Sequence, residues 1–445
     1  MKILFISLGC DKNLVDTEMM LGMLTDKGYF ITNDENEADV VVVNTCCFIN
    51  DAKEESINTI LEMAELKKSG NIKALLVAGC LAQRYKEEIQ TEIPEVDAII
   101  GTTAIDSVVE ALEEVFAGKK QNHIEDINRK PVCDKKRMVT TGGHFAYLKI
   151  AEGCDKHCSY CIIPKVRGNY RSIPMESLIE EAKKLVEFGA KELILVAQET
   201  TLYGKDLYGK KSLPELLHKL CEIDGLYWIR ILYCYPEEIT DELIETIRTE
   251  EKICNYLDIP IQHAADRILK RMGRRTNQQE LRDMVAKLRK AIPDICLRTT
   301  LITGFPGETQ EDHEELLSFV DEMEFDRLGV FTYSPEEDTP AATFADQVEE
   351  EIKTDRQADI MELQQEIAFE KAEDMIGRTV LAMIEGKVPD EHAYVARTYK
   401  DAPNVDGFVF IQTSEELMTG DFVRAKITGS YEYDLIGEID YEFTE

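Results

Sequence analysis

Residues 153–161 have the sequence GCDKHCSYC. Its three cysteines, Cys154, Cys158 and Cys161, are spaced C-x3-C-x2-C, so the loop is short enough for their sulfurs to converge on one centre. The apolar run at residues 145–150 has the character of a buried strand and leads directly into this loop. The stretch therefore predicts a metal site at the end of a strand.

The motif supplies three thiolate ligands, and thiolate suits both zinc and iron–sulfur clusters. A structural zinc site is normally closed by four ligands, and no fourth cysteine follows at short range. His157 could complete a zinc site, so zinc stays an alternative. The ligand count favours a four-iron cluster with three protein thiolates, whose fourth iron is open to a small chelating ligand.

This spacing, with an aromatic residue before the last cysteine, resembles the radical S-adenosylmethionine (SAM) superfamily. The resemblance implies that Cys154, Cys158 and Cys161 bind a 4Fe-4S cluster and that Tyr160 lies near the adenine of SAM. In that superfamily the amino and carboxylate groups of SAM chelate the open iron. An electron from the cluster then releases a 5′-deoxyadenosyl radical.

A second group of cysteines is predicted in the first domain. Apolar runs there alternate with helical patterns, which indicates a doubly wound α/β sheet. These runs cover residues 2–8, 39–44, 73–78 and 96–101. Cys10, Cys46 and Cys80 each follow one of the first three runs, and the ends of parallel strands meet at one edge of a sheet. We infer a second cluster, again with three thiolates and one open iron; three buried structural cysteines are the alternative.

The sequences GCDKNLVD at residues 9–16, NTC at 44–46 and AGC at 78–80 look like the methylthiotransferase family of that superfamily. The first of them resembles the branch that modifies ribosomal protein S twelve. The branch that modifies tRNA adenosine tends to have GCQMN at this place. Cys47 adjoins the predicted ligand Cys46 and is interpreted as a bystander, although the sequence leaves open that it substitutes for Cys46.

Six further strand–helix units predict an open, partial (β/α)6 barrel, the form that radical SAM proteins share. The predicted strands cover residues 145–150, 192–197, 227–233, 256–261, 296–303 and 327–332. Gln198 and Glu199 follow the second of these strands, where the superfamily contacts the SAM amino group. Its usual pattern there is Gly-Gly-Glu, and this chain keeps only the Glu.

Arg298 could pair with the SAM carboxylate, because a guanidinium fork matches that shape. The alternative is a barrel-lining charge that acidic neighbours satisfy. His263 could act as a general base, but a lone histidine is more often a satisfied polar group, and no catalytic side chain beyond the cluster ligands is predicted.

The end of the chain has a different pattern. A long charged helix is predicted over residues 348–376, and short β runs separated by turn signals follow it. The runs cover residues 379–384, 393–397, 407–411, 421–428 and 435–438. Five short strands predict a small β-barrel, and the family has a TRAM domain at this place. The predicted domains are therefore 1–130, 140–375 and 377–445, with a polar linker over 119–144.

The chain is strongly acidic, with a formal net charge of −35. From Gly377 to Glu445 there are 6 Lys or Arg residues against 14 Asp or Glu residues, a formal charge of −8. Binding to phosphate backbones depends on Lys and Arg, so stable nucleic-acid binding is not expected. A basic protein is the better electrostatic match, and plain solubility is the alternative explanation.

The resemblance implies an enzyme that uses two SAM molecules and two 4Fe-4S clusters to add a methylthio group to the β-carbon of an aspartate in ribosomal protein S twelve. Flavodoxin or ferredoxin would supply electrons. A tRNA adenosine methylthiotransferase is the nearest alternative; an electron-transfer protein and a zinc-stabilised binding module are others. Because no signal peptide or bilayer-spanning run is recognised, the 12 cysteines are expected to be reduced in the cytoplasm.

Overall fold

The computed structural model describes residues 1–389 and 391–441. Two parallel sheets and one closed barrel succeed one another along this part of the chain. The predicted fold class is confirmed: a doubly wound α/β region, a partial (β/α)6 barrel and a small β-barrel follow in that order.

The first region is a parallel sheet with helices on both faces. Its strands are β1 (Lys2–Ser7), β2 (Phe30–Thr32), β3 (Val40–Thr45), β4 (Ala74–Gly79), β5 (Ala98–Ile100) and β6 (Gln121–His123). Its helices are α1 (Asp11–Asp26), α2 (Asn50–Lys68), α3 (Cys80–Arg84), α4 (Lys86–Glu92) and α5 (Val108–Phe116). The strand order is β2-β1-β3-β4-β5-β6. Strands β1, β3 and β4 are therefore neighbours, and the residues that follow them share one edge of the sheet.

Two short edge strands, β2 and β6, do not correspond to any predicted run. Each has three residues and pairs with only one neighbour in the sheet. Strand β6 lies inside the segment predicted as a linker. The rest of that segment is also held, since the backbone N–H of Met138 donates to the carbonyl of Glu18 in α1. The segment between the first two regions is thus packed against both of them.

The central region is a second parallel sheet with the order β14-β13-β12-β11-β10-β7. Its strands are β7 (Phe145–Lys149), β10 (Glu192–Val196), β11 (Trp228–Ile231), β12 (Ile253–Asp258), β13 (Cys296–Thr303) and β14 (Arg327–Thr332), with a small separate ribbon of β8 (Ala151–Glu152) and β9 (Arg171–Ser172). Its helices are α6 (Ile163–Arg167), α7 (Met175–Glu187), α8 (Lys205–Tyr208), α9 (Leu213–Cys221), α10 (Asp241–Thr249), α11 (Asp266–Arg271), α12 (Gln278–Ala291) and α13 (Gln310–Met323).

The two faces of the central sheet pack against different partners. Alternate residues such as Leu193 and Leu195 join the cluster beneath the surrounding helices. Residues between them, such as Ile194, join an inner cluster that also contains Val15 of α1 and Met383 of the C-terminal barrel. The inner face of the partial barrel is thus where all three regions meet.

The C-terminal region follows the long helix α14 (Glu350–Glu373), which packs on α13 and β14. Its strands are β15 (Thr379–Lys387), β16 (Ala393–Thr398), β17 (Val409–Gln412), β18 (Phe422–Tyr431) and β19 (Asp434–Ile439), which form a closed barrel. All five predicted strands are confirmed. Residues 390 and 442–445, which the predicted third domain includes, lie outside the described residues.

No helix within residues 1–389 and 391–441 is both long enough and apolar enough to span a lipid bilayer.

Candidate metal centres

Cys10, Cys46 and Cys80 form the first thiol triad, at the carboxyl ends of β1, β3 and β4. Two glycines make their close approach possible. Gly9 has a φ of 87°, and a Cβ there would lie 2.6 Å from the Cβ of Cys46 and 2.9 Å from its sulfur. Gly79 has a φ of 94°, and a Cβ there would overlap the side chain of Asn44. Each Gly-Cys step therefore needs glycine both for its backbone conformation and for space.

The thiols of the first triad affect one another electrostatically. Burial, with smaller contributions from the neighbouring Cys80 and Cys10, raises the pKa of Cys46 to about 12, and Arg167 opposes this shift. Burial also raises the pKa of Cys80, and the Arg167 guanidinium opposes that effect. These shifts favour the neutral form of both thiols. A bound cation would reverse this balance, since metal ligands are deprotonated.

Cys47 is fully buried. It packs in the apolar cluster between the first sheet and α2, which also contains Val43, Ile60 and the predicted ligand Cys80. Burial raises its pKa, as do Cys80 and Cys46. The interpretation of Cys47 as a bystander stays a prediction.

Cys154, Cys158 and Cys161 form the second thiol triad, in the loop after β7 and β8. Gly153 (φ 79°) opens the loop, and the backbone N–H of Cys154 donates to the carbonyl of Gly168 at 3.1 Å. Burial raises the pKa of Cys154 to about 12, and Cys158 contributes to the shift. Burial also raises the pKa of Cys161, and both Cys158 and Cys154 add to that shift. The three thiols are thus neighbours, as the spacing predicts.

His157, the alternative zinc ligand, is exposed and has a φ of 53°, whereas Cys154 and Cys158 are buried. Among residues 1–389 and 391–441, no three His, Cys, Asp or Glu side chains converge closely enough to hold a single metal ion. The preference for a cluster over zinc, which rests on the ligand count, stays a prediction.

Tyr160, Gln198 and Glu199 lie beside the second triad. The Tyr160 ring meets the buried Phe305 ring edge-to-face, with the centroids 6.4 Å apart. Gln198 Oε1 accepts from the backbone N–H of Gly153 at 2.8 Å. Glu199 is fully buried, and its Oε1 lies 3.6 Å from Lys156 Nζ. The predicted SAM contacts on this side of the barrel are therefore gathered around the cysteine loop.

Glu199 has one oxygen without a partner. Its Oε2 is buried and makes no hydrogen bond to any described residue. Burial raises the pKa of Glu199 to about 7; Lys156 lowers it, and Glu238 and Glu237 raise it. A buried acceptor that lacks a donor costs free energy unless a ligand satisfies it. The oxygen is suited to a cationic donor such as an ammonium group.

Arg298 lies on the inner face of β13 and contacts the C-terminal barrel. Its Nη1 donates to Asp258 Oδ1 at 3.0 Å, and its Nε lies 3.4 Å from Asp406 Oδ1. Asp258 and Asp406 are acidic neighbours of the kind expected if Arg298 is only a barrel-lining charge. Its role toward a SAM carboxylate stays a prediction.

Two cations near the second triad were not predicted. Arg274 is buried, stacks on the Tyr235 ring at 4.4 Å and donates to the carbonyl of Pro260. Lys156, inside the cysteine loop, pairs with Glu238 at 2.5 Å and Glu237 at 3.3 Å. Arg274 lies far from the motif in sequence, so only the fold reveals it. Lys156 could have been found, because it stands between two of the predicted ligands.

Contacts between regions place the first triad at the carboxyl edge of the central sheet. Lys12, in the first turn of α1, has its Nζ 3.2 Å from the centroid of the Tyr233 ring. The Tyr233 hydroxyl donates to Asp11 Oδ1 at 3.0 Å. Tyr233 follows β11, and the second triad follows β7 in the same sheet. Both triads are therefore found at the edge where barrel enzymes hold their active sites.

Three family models match consecutive parts of this chain. Residues 2–101 match Uncharacterized protein family UPF0004, residues 148–320 match the Radical SAM superfamily, and residues 376–439 match the TRAM domain. A relative from Lachnoclostridium phytofermentans, named ribosomal protein uS12 methylthiotransferase RimO, is 64% identical over 98% of this chain and 99% of its own length. A relative of the same name from Clostridioides difficile is 50% identical over 99% of both chains.

The chain belongs to the RimO family. The predicted methylthiotransferase family and its ribosomal-protein branch are thus confirmed. The pattern GCDKNLVD at residues 9–16 distinguished the RimO branch from the tRNA-modifying one.

Solved structures with low sequence identity share the fold. A radical SAM methyltransferase, TsrM from Kitasatospora setae, has a TM-score of 0.54 at 13% identity and covers 87% of this chain and 79% of its own. The cobalamin-dependent SAM radical enzyme OxsB has a TM-score of 0.51 at 12% identity and covers 82% of this chain and 56% of its own. These similarities concern architecture alone.

Proposed function

We propose that this protein is a radical SAM methylthiotransferase that adds a methylthio group to the β-carbon of an aspartate in ribosomal protein uS12. The observation that carries this conclusion is 64% identity over 98% of the chain to a relative of that name. The two thiol triads at one edge of the central sheet support it, because each offers the ligand type of an iron–sulfur cluster.

The donor sets suit the cofactors that this activity needs. Six thiols in two groups of three fit two 4Fe-4S clusters that each leave one iron open. The unpartnered Oε2 of Glu199 suits an N–H donor of the SAM amino group. Tyr160 and the buried Phe305 offer an apolar surface of the kind that adenine stacks against. When bound, these cofactors supply radical chemistry, which an unactivated C–H bond requires because it offers no acidic proton.

The chain's own residues contribute position and exclusion of water. Cys46 and Cys80 are buried, whereas Cys10 is exposed at the rim of the first triad. We propose that the substrate aspartate approaches from the side of Cys10. Tyr233 packs against Lys12 on the same side, where the first region meets the barrel, and limits the access of solvent there. A closed interior protects a reactive intermediate from solvent.

The charge of the C-terminal barrel supports the proposed substrate, and the one-electron chemistry of the cluster supports the proposed electron donor. The C-terminal barrel has a formal charge of −8 over Gly377–Glu445, which suits a Lys- and Arg-rich ribosomal protein. The same charge opposes stable binding of tRNA. A one-electron carrier, flavodoxin or ferredoxin, would reduce the second cluster in the cytoplasm.

The function is tested by anaerobic reconstitution with iron, sulfide, SAM, reductant and a peptide of uS12, followed by mass spectrometry of the peptide. We expect methylthiolation of one aspartate and formation of 5′-deoxyadenosine. A triple Cys10→Ala, Cys46→Ala, Cys80→Ala variant should form 5′-deoxyadenosine but attach no sulfur. Replacing the second triad with alanine should abolish both products.

Cys47→Ala is the matched control, because it removes an adjacent buried thiol and should leave both products unchanged. Sulfur attachment by the first-triad variant would overturn the assignment of that triad as the sulfur donor site. Transfer RNA in place of the peptide should give no methylthioadenosine; a tRNA product would favour the tRNA-modifying alternative.

A further inference from the structure

Arg167 is a buried arginine that connects the two thiol triads. It ends α6, the short helix that begins two residues after Cys161, and it is only 2% exposed. Its Nε nevertheless donates to Cys80 Sγ of the first triad at 3.4 Å. A side chain from the loop of the second triad thus reaches a predicted ligand of the first one.

Every guanidinium nitrogen of Arg167 has a partner. Nη1 donates to Asp16 Oδ2 at 2.7 Å and to Glu152 Oε2 at 3.2 Å, and Nη2 donates to Asn13 Oδ1. The planar fork is therefore fixed on several sides, which leaves Nε directed at the sulfur. Such a geometry is not expected of an arginine that merely fills space.

The hydrogen bonds continue to the second triad. Glu152 Oε1 accepts from Gln198 Nε2 at 3.0 Å, and Gln198 Oε1 accepts from the backbone N–H of Gly153 at 2.8 Å. Gly153 directly precedes Cys154. A continuous, largely buried path of hydrogen bonds therefore runs from Cys80, through Arg167, to the loop that holds the second triad.

Arg167, Lys149, Asp16 and Glu152 form a buried charged group, whose formal charges balance only when Arg167 is present. Lys149 Nζ also contacts both Asp16 and Glu152, so that the group contains two cations and two anions. Removal of the guanidinium would leave one uncompensated negative charge beside the first triad. In a buried site that charge is screened little, and hydrogen bonds to cluster sulfurs and local charge both affect cluster potentials.

We propose that Arg167 is a positioning residue of the first cluster site, where its N–H···S bond and its charge hold the Cys80 thiolate and raise the reduction potential of the cluster. The proposal rests on the proposed function, which places a 4Fe-4S cluster on Cys10, Cys46 and Cys80. It goes beyond that function because it assigns control of one site to a residue of the other.

The test uses the full chain with Cys154, Cys158 and Cys161 replaced by alanine, so that only the first triad can bind a cluster. After anaerobic reconstitution, iron and sulfide are quantified, and the cluster is titrated potentiometrically with detection by electron paramagnetic resonance. In this parent, Arg167→Gln should lower the midpoint potential. Arg167→Lys keeps the charge but not the fork, and it should lower the potential less.

Two further variants separate this role from a structural one. The Arg137 side chain is also buried at the junction and pairs with Glu18 and Glu181, but none of its hydrogen bonds to the described residues involves a thiol. Arg137→Gln should therefore reduce stability and leave the potential unchanged. Asp16→Asn removes one negative charge from the group around Arg167, so it should raise the potential.

A midpoint potential that is the same in the parent, Arg167→Gln and Arg167→Lys would overturn the proposal while leaving the first cluster site intact. If Arg167→Gln does not fold, Arg167→Lys and Asp16→Asn decide the question by the sign of their shifts. If the parent itself binds no iron, the first cluster site is wrong, and the role of Arg167 fails with it.

Discussion

Single residues decide whether the second site can bind its ligand. Glu199 was predicted as a SAM contact from its place after the second barrel strand, but the sequence could not indicate its protonation. That property depends on burial and on Lys156, Glu237 and Glu238, which the fold brings around it. With a pKa raised to about 7, the Glu199 carboxyl group loses its charge as the pH falls through neutrality.

We expect SAM affinity to fall as the pH is lowered from about 7.5 to 5.5, because the protonated Glu199 carboxyl group no longer offers a negative charge to the amino N–H of SAM. Glu199→Gln should bind SAM roughly tenfold to a hundredfold more weakly at the upper end, because it loses a charge-assisted hydrogen bond of about 1.5–3 kcal/mol. Its affinity should also depend less on pH. Equilibrium dialysis of the reconstituted protein measures both effects.

The control for this prediction is Glu215→Gln, which changes an exposed carboxylate on α9 that pairs with Lys210. It should keep the pH profile of the unmodified protein. An unchanged profile in Glu199→Gln would show that another group determines the pH dependence.

At the scale of elements, buried ion pairs attach the C-terminal barrel to the central sheet. Glu192, the first residue of β10, accepts from Arg230 of β11 at 2.7 Å and from Arg397 of β16 at 2.7 Å. All three side chains are fully buried. Arg230 also donates to the carbonyls of Tyr399 and Thr398. One carboxylate thus holds two guanidinium groups from different regions.

We expect Glu192→Gln to destabilise the protein by about 3–5 kcal/mol, because two buried cations lose their shared counter-charge. Thermal unfolding monitored by circular dichroism measures the effect as a lowered Tm. Glu65→Gln is the control, since Glu65 forms an exposed pair with Lys68 and such pairs contribute under about 1 kcal/mol. Equal melting temperatures for the two variants would contradict a structural role for Glu192.

At the scale of the whole molecule, the negative net charge favours the proposed basic substrate over nucleic acid. The net charge of −35 is distributed over a chain whose C-terminal barrel alone has −8. Exposed acidic residues such as Glu415 and Glu416 lie in the turn between β17 and β18. A surface of this kind attracts a basic partner at a range that salt shortens.

We expect binding of a fluorescent uS12 peptide to weaken as salt rises from about 50 to 200 mM, because screening reduces attraction between exposed charges. Glu415→Lys combined with Glu416→Lys should weaken it further at low salt. Fluorescence anisotropy measures both effects. Glu87→Lys combined with Glu88→Lys, on α4 of the first region, is the charge-matched control, and equal effects of the two variants would contradict binding by the C-terminal barrel.

The agreement between prediction and structure differs among elements. The predicted bounds of β13 and β14 match the structure, and both strands contain several of the β-branched or aromatic residues that favour strands. Strand β12 was predicted over residues 256–261 but covers Ile253–Asp258. The apolar run continues past the strand end, yet Pro260 cannot donate a hydrogen bond to a neighbouring strand. Strands β2 and β6 were missed because three residues are too few to show a periodic apolar pattern. Pairing with a neighbouring strand decides their conformation.

The sequence by itself determined the order of the three regions and the family, and it predicts six cysteine ligands, because short motifs and periodic apolar runs are local properties of a chain. Only the tertiary structure decided which charged side chains act together. Arg167 and Cys80 are 87 residues apart in the chain, a separation over which no local sequence pattern can relate them. Their contact depends on packing of the second cysteine loop against the first sheet, and burial there gives each charge and hydrogen bond its effect.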